Sequence, residues 1–412
     1  MATIQDIIGH IRTSMPATVR IHKKSEGTLI GLPFPYTIPC IRDAFQELYY
    51  WDTYFACRGL AILGDNEQIF NNCENFMYEL EQFGFIPNGS RTFYLDRSQP
   101  PFFGKLAELA CDLQPHRPDF TRRMTASLVK ELDFWNKKRK DESSGLYHYG
   151  SDASEKELLA FYECCTRRLG YPDKADDTLR KAASSEAMAE AESGWDFNPR
   201  FERRCRNYAA VDLNALLLAD LRILAKLYTR CGDFANAAAA EETFQREQER
   251  FNKIFFDSQR NCYADYDFVN QKFSPVLSAA GFFPIWCGVA SADKAITALS
   301  VLKQKLEYPH GIAACEPSTA GKIYQWDFPT LWPPLQLIAM ESFLKTGLFD
   351  DARRIAQKYI DTVRNNFDTT GDLWEKYNAV TGKIDVAEEY QMPRMMGWTA
   401  GTFLVATQIL DA

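Results

Sequence analysis

Apolar residues recur at helical spacing through most of the chain. Leu213, Leu217, Leu221, Leu224 and Tyr228 fall on one face of a helix, and Ala237, Phe244, Phe251 and Phe255 continue on a second. Three segments share one plan: LAILGDNEQIFNNCENFMYEL (60–80), LAKLYTRCGDFANAAAAEETF (224–244) and MESFLKTGLFDDARRIAQKYI (340–360) each run helix, glycine, short linker, helix. Gly64, Gly232 and Gly347 stand where a left-handed residue ends a helix. Asp65, Asp233 and Asp350 are placed to cap the helix that follows. Alternating β-branched runs are few, and YADYDFV (263–269) reads as a short strand. Ile4, Ile7, Ile8 and Ile11 also share a helical face, without the basic start and long apolar run of a secretory signal.

Serial helical hairpins either stack as an open solenoid or close into a ring. A solenoid repeats at a strict period, whereas these hairpins are unevenly spaced. The pattern therefore predicts an all-α fold, a closed (α/α)6 toroid with long cleft-forming loops, as one domain over 1–412. A monomer is the default for a ring with its own core.

Composition narrows the function. Hydrophobic residues are 46% and charged residues 25% of the 412, as expected of a soluble domain with a large core. The net charge of −8 has no basic stripe within it, which argues against nucleic acid and anionic membrane as partners. No run of 18 apolar residues occurs, so no membrane span is expected. The eleven cysteines are scattered, with no CxxC, and point to a reducing, cytoplasmic setting. The five histidines have no ligand-like spacing, so no metal site is expected.

Aromatics reach 14%, and many sit in loops beside charges: PFPYTIPCIRDAF (33–45), IPNGSRTFYLDRSQPPF (86–102), ESGWDFNPRF (192–201), HGIAACEPSTAGKIYQWDFPTLWPP (310–334) and LWEKYNAVTGKIDVAEEYQMPRMMGW (373–398). Sugars present apolar ring faces rimmed with hydroxyls, and a site for them needs flat rings with polar acceptors and donors around them. Trp51-Asp52, Trp195-Asp196 and Trp326-Asp327 repeat that combination, and Asn88, Arg91, Arg97 and Gln99 add donors. Cleaving a glycosidic bond takes two carboxyl groups. Asp196, between Trp195 and Phe197, is placed for burial that would keep it protonated, and AEEYQMPRMMGW offers Glu388 and Glu389 as its partner.

These segments resemble the trehalases, glycoside hydrolase family 37, in order along nearly the whole chain. QELYYWDTYF (46–55) is similar to the second half of the family's first signature, and YQWDFPTLWPPLQ (324–336) to its second. IPNGSRTFYLDRSQPPF, ESGWDF followed by VDLNALL, EKY (375–377) and GWTAG (397–401) resemble further family segments. The resemblance implies an (α/α)6 toroid that cleaves α-glucosidic bonds with inversion and without a cofactor. It implies Asp196 as general acid, and Glu389, eight residues before the glycine of GWT, as general base. It also implies that Phe45, Trp51, Asp52, Asn88, Arg97, Gln99 and Trp326 hold the sugar, with Arg167 and Trp195 beside them.

Three departures accompany the likeness. Ala44 stands where the family has an arginine, with Arg42 two residues away. RRLGY (167–171) keeps Arg167 but has Leu169 in place of a glutamate, and TGKIDVAEEY replaces a glycine-rich lid. Losing one charged hydrogen bond to a sugar costs about 1.5–3 kcal/mol, about 10- to 150-fold in binding. The alternatives to trehalose hydrolysis are an α-glucoside with another aglycone, such as a glucosyl-polyol, or a silent sugar-binding protein on the same ring. A plain α-hairpin scaffold would leave three Trp-Asp pairs unexplained.

Overall fold

The computed structural model describes residues 2–42, 44–317, 324–387 and 390–412. Its helices, in chain order, are α1 (Ile4–Ser14), α2 (Tyr50–Leu63), α3 (Asn66–Phe83), α4 (Phe103–Leu113), α5 (Pro118–Lys138), α6 (Glu155–Leu169) and α7 (Asp177–Glu192). There follow α8 (Val211–Arg230), α9 (Phe234–Ile254), α10 (Phe283–Trp286), α11 (Ala292–Leu306), α12 (Pro333–Lys345), α13 (Phe349–Thr370) and α14 (Gly397–Asp411). Described strands are two residues long and pair antiparallel in small sheets of two or three strands. No helix among the described residues is long and apolar enough to cross a membrane.

Six helices close a ring: α2 packs on α4, α4 on α8, α8 on α10, α10 on α12, α12 on α14, and α14 back on α2. α3, α5, α9 and α13 pack outside them, and α1 lies against α13. This is the (α/α)6 toroid, and burial explains which helix goes where. A helix apolar around its whole circumference must be covered on all sides. α14 buries every residue from Gly397 to Thr407, and α2 buries Tyr50, Trp51, Thr53, Tyr54, Phe55, Ala56, Cys57, Gly59 and Leu60. α13 instead buries one stripe, Ala352, Ile355, Ala356, Tyr359, Ile360 and Val363, and so sits outside.

The closing contact of the ring requires glycine. A Cβ on Gly401 would lie 2.0 Å from the Phe55 carbonyl oxygen, and one on Gly59 would lie 2.9 Å from the Gly401 Cα. Caps follow the sequence with one exception. Gly64 ends α2 at φ +82°, and Asp65 and Asp233 cap α3 and α9 through their side chains. Asp350 is not a cap. Leu348 occupies that position and Asp350 falls in the first turn of α13, where a carboxylate still favours the exposed N–H groups. YADYDFV contains parts of two short strands, Cys262–Tyr263 and Tyr266–Asp267, rather than one.

The α6–α7 hairpin stands apart from the ring with its own small core. Tyr162, Cys165, Leu169, Ala183 and Ala187 pack with Phe197 and Tyr324 from two cleft loops. Ser154 and Glu157 form a reciprocal capping box at its start. Nine of the eleven cysteines are buried, acting as small apolar residues.

Candidate active site

The loops that enter the inner helices converge on a cleft of about 580 Å³, within the range of small-ligand sites. Its floor is aromatic. Trp326 stacks on Trp332 with centroids 3.7 Å apart and planes 3° from parallel, and Trp195 stacks on Trp326 from behind at 5.2 Å. Trp51 lies 5.5 Å from Trp326, and Trp398 meets Trp332 edge-on at 5.7 Å. Flat rings at the N-terminal ends of α2 and α14 and before α12 are thus assembled into one surface by closure of the ring.

Among the described residues five carboxyl groups line this cleft, Asp52, Asp96, Glu157, Asp196 and Glu375, and Asp96 is paired with Arg97. Burial pushes the Asp52 carboxyl up to about 8, with the charges of Glu375 and Asp196 acting in the same direction. Glu375 is buried and tightly held. Its Oε2 accepts from Lys376 Nζ at 2.8 Å, its Oε1 accepts from the Tyr390 hydroxyl at 2.5 Å, and its carbonyl accepts from Trp398 Nε1 at 2.9 Å. Gln325 Nε2 donates to the same tyrosine oxygen at 3.0 Å. The Glu375–Lys376 pair is buried, not a surface pair: Lys376 is fully buried, 4.9 Å from the Trp332 and Tyr390 rings.

Asp196 is not enclosed by the rings on either side of it. Trp195 and Phe197 are fully buried, while the Asp196 side chain keeps a third of its surface exposed and forms an ion pair with Arg168, Nη2 to Oδ2 at 3.0 Å. The same nitrogen donates to the Asp196 carbonyl at 3.2 Å, and the guanidinium sits 4.6 Å over Phe197. Candidate acid and cation are therefore joined across the cleft wall, Asp196 from the loop after α7 and Arg168 from the last turn of α6.

Of the other residues singled out from sequence, Phe45, Trp51, Asn88, Arg97, Gln99 and Trp326 line the same cleft. Gln99 Oε1 accepts from the Trp51 amide at 3.2 Å, Asn88 Nδ2 donates to the Ser98 carbonyl at 3.2 Å, and Arg97 Nη1 pairs with Asp96 at 2.7 Å. Arg97 Nε and Gln325 Oε1 have no protein partner among the described residues, leaving a donor and an acceptor for hydroxyls. Trp195 lies behind the floor rather than in the cleft. Arg167 is exposed and does not line it; one residue along a helix turns the side chain by 100°, and Arg168 is the one facing inward. Arg91 pairs with Glu47 at 3.0 Å. Glu388 and Glu389 lie outside the described residues. Glu375, Arg168, Tyr390 and Gln325 were not chosen from sequence as ligands, although EKY and RRLGY had been singled out.

Buried ion pairs hold the loops. Arg139 makes a bidentate contact with Glu192 at 2.7 and 2.9 Å, and Glu192 accepts from the Ser98 and Gly150 amides. Arg200 is fully buried, 4.4 Å from the Trp195 ring, and Arg203 Nε donates to the Tyr324 hydroxyl at 3.1 Å. Asp212, in the first turn of α8, is Arg200's partner at 2.9 Å.

The Asp52 carboxyl has a testable consequence. Its folded-state pKa lies above the unfolded value of about 3.9. Between those values the unfolded chain has lost the proton and the folded chain keeps it, so stability falls as pH rises from about 4 to about 8 and then levels. Asp52→Asn is expected to lack this contribution. Denaturant midpoints of both proteins across that range should converge or cross as pH rises, and parallel curves would refute the assignment.

Comparison with known proteins adds an independent line. The family model described as Trehalase matches residues 2–411. The chain is 31% identical to a periplasmic trehalase of Salmonella paratyphi A (strain ATCC 9150 / SARB42), covering 97% of this chain and 73% of the relative. It is 30% identical, with the same coverage, to a periplasmic trehalase of Escherichia coli (strain SMS-3-5 / SECEC). Among solved structures, the neutral trehalase of Saccharomyces cerevisiae superposes with a TM-score of 0.78 at 23% identity, over 99% of this chain and 80% of the other. A mannosylglycerate hydrolase of Thermus thermophilus, solved with glucose, superposes with a TM-score of 0.69 at 15% identity, over 98% and 100%. The last two are likenesses of fold.

Proposed function

The chain belongs to the trehalase family and is a glycoside hydrolase, and from that premise we propose that it cleaves α,α-trehalose to two glucose molecules with inversion. Asp196 is assigned as general acid and Glu389 as general base. The acid donates its proton to the glycosidic oxygen as the C1–O bond breaks. The base takes a proton from water as the water oxygen bonds to C1 from the opposite face. The observation carrying the reading is the convergence of Asp196, Asp52 and Glu375 over a floor of stacked tryptophans. Phe45, Trp51, Asn88, Arg97, Gln99 and Trp326 are assigned to the sugar. Of the two Asp196 carboxylate oxygens Arg168 holds Oδ2, and Oδ1 is the oxygen assigned to proton transfer.

Ala44 favours a second reading, in which the substrate is an α-glucoside with another aglycone, since the cleft lacks a guanidinium from that position. The reading extends to one domain over 1–412 acting as a monomer. The cysteine usage supports a cytoplasmic protein, although the bacterial relatives are named periplasmic.

Proton NMR of the anomeric signals during the first minutes with α,α-trehalose tests the proposal. α- and β-glucose should appear in equal amounts, because inversion at one α-linked residue releases β-glucose and the leaving residue departs as α. Only α-glucose would refute inversion. No glucose from trehalose, with release from another α-glucoside, would favour the second reading.

A further inference from the structure

One helix of the closed ring is short. α10 is a single turn, so the wall between α8 and α12 stops after Trp286, and a second cavity of about 730 Å³ opens there. It shares no lining residue with the sugar cleft; Tyr54, Phe102 and Trp286 pack between the two. Its described lining carries four cations, Lys105, Arg222, Lys226 and Lys345, against one carboxylate, Glu108, in a chain of net charge −8.

The cations are poorly compensated. Glu108 lies 3.6 Å from Lys105 and is also bridged by Lys226, so one negative charge serves two ammonium groups. Around Lys105, burial pushes the Cys287 thiol up to about 12 and raises Tyr54, leaving both neutral near pH 7, and burial also raises the Asp220 carboxyl. Lys345 donates to the Trp286 carbonyl, and its pKa is lowered by burial and by the neighbouring Lys105 charge. Glu341, the next carboxylate, is engaged by Arg58 and by Trp286 Nε1, each at 2.6 Å. Arg222 rests on the Phe244 ring at 5.2 Å and forms no ion pair among the described residues.

Crowding like charges around a partly buried cavity is unfavourable unless an anion completes it. Lysine ammonium groups act as point charges for phosphate oxygens, and a phosphomonoester offers three of these with a charge of nearly −2. The remaining wall is apolar, from Ile223, Ile285, Ala295 and Ile296, and the volume exceeds that of a phosphate alone. We propose that this cavity binds a phosphorylated small molecule, its phosphate among Lys105, Lys345 and Arg222 and its organic body against the apolar wall.

Calorimetric titration at constant ionic strength with AMP, inorganic phosphate and adenosine tests this. AMP and phosphate are expected to bind one per chain, AMP more tightly, and adenosine not at all. Lys345→Met should weaken AMP about 10-fold or more. Arg222→Gln, an exposed change that spares the fold, should weaken it in the same direction, while Arg168→Gln in the sugar cleft should leave it unchanged. The proposal is overturned if the wild type gives no heat at millimolar AMP. Adenosine binding as well as AMP, or the Lys345 and Arg222 variants matching wild type, would overturn it equally.

Discussion

Asp196→Asn is expected to lower turnover of the α-glucoside by about 10²–10⁴-fold while glucose binding persists. The amide keeps the size of the carboxyl and can still accept from Arg168, so the wall of α6 and the loop after α7 stay in place. What is lost is a proton that can be given to the glycosidic oxygen. Initial rates, with glucose affinity measured separately, distinguish this from a lost binding contact, which would raise KM and leave kcat. Glu389→Gln is expected to act equally strongly through the water. Two variants of wild-type rate would remove both assignments and turn attention to the buried cleft carboxyls Asp52 and Glu375.

The largest effect on stability is expected at Arg200. Its guanidinium is fully buried, with Nε and Nη2 3.0 and 2.8 Å from Asp265, Nη1 2.9 Å from Asp212, and the Trp195 ring 4.4 Å away. Asp265 also accepts from the Val211 amide, and Ser274 donates to the Arg200 carbonyl. Arg200→Met keeps the volume but leaves two buried carboxyls without their cation, which costs about 3–5 kcal/mol. Arg200→Lys should recover little of this, because a single ammonium cannot reproduce the bidentate fork. As a comparison, Arg122→Gln removes an exposed i,i+3 contact with Asp119 and should change stability by under about 1 kcal/mol. Urea midpoints measure all three. An Arg200→Met midpoint equal to wild type would show that the buried cluster contributes nothing net.

How much of this was legible without coordinates differs from residue to residue. The hairpin plan around Gly64 and Gly232 was readable because caps and periodicity are local, acting over one or two turns. Asp350 was misread by two positions, since Asp, Leu and Phe are all permitted near a helix start and the first intrahelical bonds decide among them. The cleft residues Trp51, Asn88, Arg97, Gln99 and Trp326 were found because each lies in a motif that survives as a string. Arg168 was missed in favour of Arg167 because adjacent residues on a helix differ in direction by 100°, which a string without a known axis does not specify. The burial of Glu375 and Lys376 is not legible in EKY because their neighbours in sequence do not bury them; Trp332, Tyr390 and Trp398 do, from other parts of the chain.

By itself, then, the sequence determined the class of fold, the helical hairpins and the family of chemistry. All three are written in short-range patterns: helical period, capping residues and motif strings. Only the tertiary structure decided which helices form the inner ring, which carboxyls share a cleft, and that Asp196 meets Arg168 rather than aromatic surface. Those outcomes depend on contacts between segments far apart in the chain, where burial and charge are set by partners that local sequence does not name.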